Sequence, residues 1–322
     1  MENQEKKHKR RIRYSGAYPK NYKEKYKELN PEKYADTVSR VIEKGSTPAG
    51  MHISICVKEI LDFLQIKPGQ TGLDATLGYG GHTQEMLKCL QSKGHLYALD
   101  VDPIESAKTK ERLEKLGYGE DILTIRLQNF ADIDLVARDA GKFDFILADL
   151  GVSSMQIDNP DRGFSYKTEG PLDLRMNPQK GISAAQRLKN ISREELMGML
   201  QENSDEPYAK EISQEIVSRL KKGGRIETTG ELRQAIEDAL SFLPAPERKE
   251  AVKKSCQRTF QALRIDVNSE FEALYALMEK LPQDVYKRQG MVCSLIENMK
   301  EAVILYLKKD FRFTFGPVVH WR

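Results

Sequence analysis

The stretch Thr71–His82, TGLDATLGYGGH, decides the fold. Its first five residues, Thr71–Ala75, read as a short buried strand carrying a carboxylate, Asp74, near its end. The glycine-rich Leu77–His82 follows, and Thr83–Leu90 then has the spacing of a helix. Strand, glycine turn and helix in that order open an α/β unit of the kind that binds nucleotides. Upstream, Ile53–Leu64 has helical apolar spacing and Pro68-Gly69 marks a turn. Downstream, His95–Leu99 is a second strand that runs into Asp100. Asp102-Pro103-Ile104-Glu105 is a helix start, with Asp as cap, Pro in the first turn and Glu three residues after the cap. That helix runs to Leu116, and Gly117 stops it. Ile122–Leu127 is a third strand and Phe143–Asp149 a fourth, apolar almost until its last residue. Continuous apolar strands alternating with helices imply a parallel sheet covered on both faces.

The alternation then stops. Residues 157–182 are polar and rich in Gly, Pro and Asp. From Ser183 to Ser255 the spacing is helical, with capping-box patterns at Ser192–Glu195 and Thr228–Glu231. A further helix, Ser269–Lys280, returns to the sheet. The expected organisation is a basic arm at 1–45, a core at 46–156, a loop and helical insertion at 157–255, a return to the core at 256–282, and a tail at 283–322.

Composition sets outer bounds. At 322 residues with 39% hydrophobic and 31% charged residues, the chain can bury a real core and is neither fibrous nor wholly disordered. No stretch approaches the ~20 apolar residues of a membrane helix, so no membrane partner is expected. Met1–Arg13 has no apolar segment and is not a secretory signal. Cys56, Cys89, Cys256 and Cys293 are scattered without a CxxC pair, which argues against a zinc ribbon or disulfide framework. A reduced, cytoplasmic protein without a structural metal is expected. The net charge of +3 hides an asymmetry: residues 1–45 hold 13 Lys and Arg against 7 Asp and Glu, a net of +6 that leaves −3 elsewhere. Lys6–Arg13 and the tyrosines 14, 18, 22 and 26 suit phosphates and stacked bases, or simply form a solvated tail.

Ligands of an open parallel sheet bind beyond the carboxyl ends of its strands. Asp74, Asp100 and Asp149 collect there, with Phe130 after the third strand. Asp100, 26 residues beyond Asp74, is placed to accept hydrogen bonds from ribose hydroxyls. The glycine loop departs from the dinucleotide pattern GxGxxG, because Thr83 takes the third glycine position, and it lacks the GK[ST] of a P-loop. A nucleoside ligand without a required pyrophosphate fits better, S-adenosylmethionine being the obvious case, and a nicotinamide dehydrogenase is disfavoured. Simpler readings stand beside these: a tight turn for the glycines, a helix position for His82, and a cap for Asp102. A carboxylate ending an apolar strand, as Asp149 does, is costly unless it is hydrogen-bonded or solvated in a cleft.

Six segments in order, DATLGYGGH (74–82), ALDVDP (98–103), DLGVSSMQ (149–156), DRGF (161–164), GPLDLRMNP (170–178) and RTFQALRIDVNSE (258–270), resemble the RsmH (MraW) family. The resemblance runs from about Met51 to Pro282. It implies a Rossmann-like, class I, S-adenosylmethionine-dependent methyltransferase with an inserted helical domain, acting on cytosine N4 in the decoding region of 16S ribosomal RNA. It also implies that Gly80, Gly81 and His82 line the methionine end of the cofactor, that Asp100 holds the ribose, and that Phe130 lies near adenine. Asp149 and Gln156 would complete the pocket beside the methyl. Asp149 is the candidate catalytic group, orienting the target amine; its competing role is to bind the cofactor's ammonium group. Arg162, Phe164, Arg175, Arg258 and Arg264 are candidates for holding RNA or the flipped cytosine. Arg258 and Arg264 could equally tie insertion to core.

Two segments depart from the family pattern. The basic arm reads as an extension that adds RNA affinity. Gln283–Arg322 lacks the family's closing motif and reads as a divergent tail or as a sequencing or frame artefact; if the family's late strands are absent, one sheet edge is left unpaired. The expected partner is ribosomal RNA or the small ribosomal subunit, with monomer and homodimer both open. A methyltransferase for another RNA or DNA site, and a noncatalytic RNA-binding or ribosome-assembly protein, are the alternatives.

Overall fold

The computed structural model describes residues 54, 56–281 and, as backbone strands, 291–297, 301–307, 313–315 and 319–320. The basic arm, with the expectation attached to it, lies outside these residues. The first elements are α1 (Val57–Leu64), β1 (Thr71–Asp74), α2 (Gly81–Leu90), β2 (His95–Asp100), α3 (Pro103–Lys115) and β3 (Leu123–Leu127). A short turn at Phe130–Asp132 leads into α4 (Ile133–Ala140) and then β4 (Phe145–Leu150). Asp149 is therefore the penultimate residue of β4 rather than its last. Helix α4, the crossover between β3 and β4, was not singled out in the sequence. It is short and buries only Ile133 and Val136, while Leu135 between them is 46% exposed.

Strand β1 pairs in parallel with β2 and β4, and β2 with β3, giving the local order β3-β2-β1-β4. The tail differs from expectation. Strands β5 (Met291–Glu297), β6 (Glu301–Leu307), β7 (Phe313–Phe315) and β8 (Val319–His320) extend the same sheet. Strand β5 lies parallel to β4 from Ile146↔Met291 to Leu150↔Leu295, so the edge beyond β4 is paired. Strands β6 and β7 continue antiparallel, and β8 pairs with β6. The apolar run Ala302–Leu307 is the body of β6.

Alternation along the inner strands builds two cores, one on each face of the sheet. Leu96, Ala98, Phe145 and Leu147 face α1 and α2, together with Ile60, Leu64, Met86 and Leu90. Leu73, Leu99, Ile146 and Ala148 face the other way, onto Ile133, Val136, Phe143 and Leu277. Each fully buried aliphatic or aromatic side chain contributes about 1.5–3 kcal/mol, so the strands that carry the site are held from both sides. This is the Rossmann-like, doubly wound α/β arrangement expected, with an antiparallel edge.

After β4 the chain forms α5 (Ser154–Asp158) and a turn at Pro160–Arg162. The helical insertion follows: α6 (Ala184–Asn190), α7 (Arg193–Ser204), α8 (Ala209–Lys221), α9 (Thr229–Ala239) and α10 (Ala245–Asn268). Thr228 and Glu231 form the expected reciprocal capping box; at Ser192 only the cap's bond from Glu195 N–H is present. The insertion has its own core, including Leu188, Leu196, Leu200, Ile212, Ile216, Leu232 and Ile236. Helix α10 runs through the expected boundary at 255/256 and buries Cys256, Phe260 and Leu263 in that same core. The return to the sheet comes at Ser269 (φ 47°), which leads into α11 (Glu270–Lys280). Cys56, Cys89 and Cys256 are free thiols. Among the described residues, no helix is long and apolar enough to cross a membrane.

Candidate active site

The parallel register aligns the carboxyl ends of β1, β2 and β4, and hydrogen bonds join the loops leaving them. Gly80 takes φ 75° at the N-cap of α2, a conformation that costs a residue with a Cβ. A Cβ there would also press on Thr109 Cγ2 at 2.7 Å. Gly78 takes φ 50°, and a Cβ on it would meet only Thr76 O at 3.9 Å, so there is space on that side of the loop, while its N–H and C=O are held by Asp100 and Thr109.

Asp100 closes the next turn. Its Oδ2 accepts from Gly78 N and its Oδ1 from Asp102 N, both at 2.8 Å. Burial pushes its carboxyl up to about 6, against these two N–H donors, which favour the charged form. Gln128 N donates to Asp100 O at 2.8 Å, which brings the end of β3 alongside, and half-buried Phe130 follows in the turn after β3.

Asp74 lies under the glycine loop and is 1% exposed. Thr83 Oγ1 donates to its Oδ2 at 2.6 Å, and Thr76 N to its Oδ1 at 3.1 Å. Thr83, the residue that breaks the dinucleotide pattern, thus anchors a buried carboxylate. Burial raises the Asp74 pKa, while Thr83, His82 and the Thr76 N–H pull it back. Thr76 Oγ1 accepts from Asp149 N at 2.7 Å, fixing the backbone of β4 at the residue expected to act. Asp149 Oδ2 stands 3.6 Å from His82 Nδ1, an electrostatic contact, and its side chain is 24% exposed. His82 and Asp149 therefore meet.

Gln156 sits in α5. Its Oε1 accepts from Ser153 N and its backbone N donates to Ser153 Oγ, a capping box that the sequence did not single out. Its Nε2 donates to Asp102 Oδ2 at 3.0 Å. Asp102 caps α3, as the simpler sequence reading had it, but it does more. It is fully buried, and its Oδ2 also accepts from Arg162 Nη1 at 2.7 Å.

The five residues expected at the RNA are not brought to one surface. Arg162 is 6% exposed and its guanidinium is enclosed by protein, which corrects the expectation that it reaches RNA. Phe164 is buried at 8% exposure beneath that guanidinium, in the insertion core. Arg175 is clamped bidentately by Asp173, Nε–Oδ1 at 2.7 Å and Nη2–Oδ2 at 2.8 Å. Arg264 is held bidentately by Glu270 of α11, at 2.8 and 3.0 Å, which is the salt bridge between insertion and core. Arg258, half-buried on α10, makes no hydrogen bond or ion pair among the described residues.

The donor set is mixed in charge. Asp74, Asp100 and Asp149 place three carboxylates around the glycine loop; His82 lies 3.6 Å from Asp149, and the Arg112 guanidinium packs over the Tyr79 ring and donates to the Tyr79 carbonyl. The carboxylates favour a ligand with hydroxyl donors and positive charge over a pyrophosphate. Against known proteins, residues 49–296 match a family model described as the MraW methylase family. A protein of Lachnoclostridium phytofermentans named ribosomal RNA small subunit methyltransferase H 1 is 67% identical, over 97% of this chain and 84% of that protein. One of the same name from Agathobacter rectalis is 69% identical over 87% of this chain and 80% of that protein. Ribosomal RNA small subunit methyltransferase H 2 of Acholeplasma laidlawii is 56% identical, covering 98% and 93%. Matches over 97–98% of the chain extend into both the basic arm and the tail, so neither segment sets this chain apart from these relatives.

Proposed function

The chain belongs to the MraW methylase family, and from that premise we propose that it transfers a methyl group from S-adenosylmethionine to N4 of a cytosine in small-subunit ribosomal RNA, near the decoding centre. The observation that carries the reading is the meeting of His82 and Asp149 beside the glycine loop, with Asp74 and Asp100 at the adjoining strand ends. The residues present fit that donor. Gly80, Gly81 and His82 would hold its methionine end, Asp100 its ribose hydroxyls, Phe130 its adenine, and Asp149 with Gln156 the side next to the methyl. When bound, the cofactor supplies an electrophilic methyl group on a sulfonium.

The protein's share is alignment and proton handling. An exocyclic cytosine amine is a poor nucleophile because its lone pair is delocalised into the ring. A carboxylate accepting a hydrogen bond from the NH₂ group localises that pair and fixes its direction. Asp149 is partly solvent-exposed and its backbone is pinned by Thr76, so its position is defined. It would also take the proton that the amine loses as the new N–C bond forms. The base must leave its stack to reach this depth. Arg258, which has no hydrogen-bonding or ionic partner among the described residues, is the residue best suited to a phosphate, while Phe164, Arg162, Arg175 and Arg264 shape the loops around the target.

The test uses the purified protein, labelled S-adenosylmethionine and small ribosomal subunits that lack methylation. Label on N4 of one cytosine near the decoding site is the expected result. Label on another nucleotide would redirect the substrate assignment, and a folded, cofactor-binding protein that labels no RNA would sink the enzymatic reading.

A further inference from the structure

The Asp100–Asp102 turn and the loop leading into the helical insertion are joined through a buried ion pair that the methyl-transfer chemistry does not use. Asp102 Oδ1 caps α3, accepting from Ile104 N at 3.0 Å and Glu105 N at 3.3 Å. Its Oδ2 accepts from Arg162 Nη1 at 2.7 Å and Gln156 Nε2 at 3.0 Å. The other arm of the Arg162 fork, Nη2, donates to Met176 O at 2.7 Å and Arg175 O at 3.1 Å. Beyond it, Met176 N donates to Asn268 Oδ1 at 2.7 Å, and Asn268 Nδ2 donates to Leu174 O at 2.8 Å. On the near side, Asp102 N donates to Asp100 Oδ1. An unbroken set of contacts therefore runs from Gly78 and Asp100, through Asp102 and Arg162, to the 174–176 loop and the last turn of α10. Through Gln156 the same carboxylate also holds the turn that follows Asp149.

A buried pair of this kind is a weak source of stability, because desolvation offsets most of its attraction. Its geometry is specific, however. Only a planar fork reaches a carboxylate on one side and two carbonyls on the other; a lysine ammonium serves one side at a time. We infer that Arg162 is a positioning residue for methyl transfer: it sets the loop leading into the helical insertion against the Asp100–Asp102 turn and the Asp149 segment, without touching cofactor or RNA. The inference rests on the methyltransferase reading above and adds to it the means by which the insertion is registered to the core.

Two variants of the full chain test it, R162K and the double variant D102N/R162M. The first keeps the charge and loses the fork; the second removes the fork without leaving a lone buried carboxylate. For each, S-adenosylmethionine affinity is measured by calorimetry, and single-turnover methyl transfer to undermethylated small subunits is measured at saturating cofactor. Both variants are expected to bind cofactor as wild type does and to transfer methyl about 10²-fold more slowly, the scale of a small misplacement of reacting groups. A folded variant of either kind that transfers at the wild-type rate overturns the inference. So does a rate loss that higher cofactor concentration restores, since that marks a binding defect only. Wild-type protein that labels no subunit sinks the functional reading and this inference with it; wild type active beside full-rate R162K sinks this inference alone.

Discussion

Asp100 and Asp149 sit near the ends of β2 and β4, on either side of β1, and their surroundings differ. Burial pushes Asp100 up to about 6, above the ~3.9 of an unfolded aspartate. Its stabilising contribution is therefore present below about pH 4 and lost as pH rises through about 6, at a cost on the order of 2–3 kcal/mol to the ligand-free protein. Ribose hydroxyls donated to the carboxylate favour its charged form and offset that cost. Cofactor affinity is accordingly expected to rise with pH up to about 6, by at most about tenfold per pH unit, and then to level off. Calorimetric titrations across that range check the slope, and D100N should bind more weakly and lose this dependence. Asp149 is half-buried with its Oδ2 facing His82, and we propose that it meets the target amine. D149N keeps the shape and a hydrogen-bond acceptor but cannot take a proton. Its cofactor affinity should stay close to wild type while its transfer rate falls about 10²-fold or more. Normal binding together with an undiminished rate would leave Asp149 without a catalytic role.

At the scale of elements, the segment between β4 and α6 is where sequence and structure part most. Its Gly, Pro and Asp content reads as a loop, which is right about its backbone and silent about its order. Leu174 N donates to Arg162 O, Leu172 N to Glu227 O, and Pro171 bridges to Thr228, so the segment is folded back on itself and onto the insertion. Gly163 makes the turn possible at φ 71°, where a Cβ would overlap the Pro171 carbonyl. G163A is expected to destabilise the protein by about 2–4 kcal/mol, read as a lower urea midpoint. Because the clash falls beside Arg162, its methyl-transfer rate should drop as well; an unchanged midpoint would show that the loop adapts freely. The inner strands and α2, α3 and α9 were legible because apolar runs, caps and glycine stops are local signals. The carboxylates at strand ends were legible for the same reason. The Asp102–Arg162 pair was not, because its members are 60 positions apart and nothing around either residue names the other. Nor did local pattern show that α10 continues past residue 255, since its first turns and its last belong to one apolar stripe shared by the insertion.

At the scale of the whole molecule, the distribution of charge separates RNA capture from chemistry. Residues 46–322 carry a net charge of −3, and many of their cations are already paired: Arg187 with Glu195 and Asp266, Lys189 with Glu227, Arg219 with Glu215 and Asp238, Arg233 with Glu237. Such pairs present little net field to a polyanion. Residues 1–45, with a net of +6, hold the chain's surplus of positive charge. Attraction to phosphates releases counterions, so each contact steepens the fall of affinity with salt by about 0.7–0.9 in a log–log plot. Removing residues 2–45 should therefore lower the magnitude of that slope for RNA binding by up to about 4, and weaken binding most at low salt. Cofactor affinity, which we propose rests on Asp100 and the glycine loop, should be unaffected, which separates loss of the arm from loss of the fold. Filter binding of a small-subunit RNA fragment across a salt series measures the slope. An unchanged slope in the truncated protein would place the phosphate contacts on the body instead, with Arg258 on α10 as the first residue to replace.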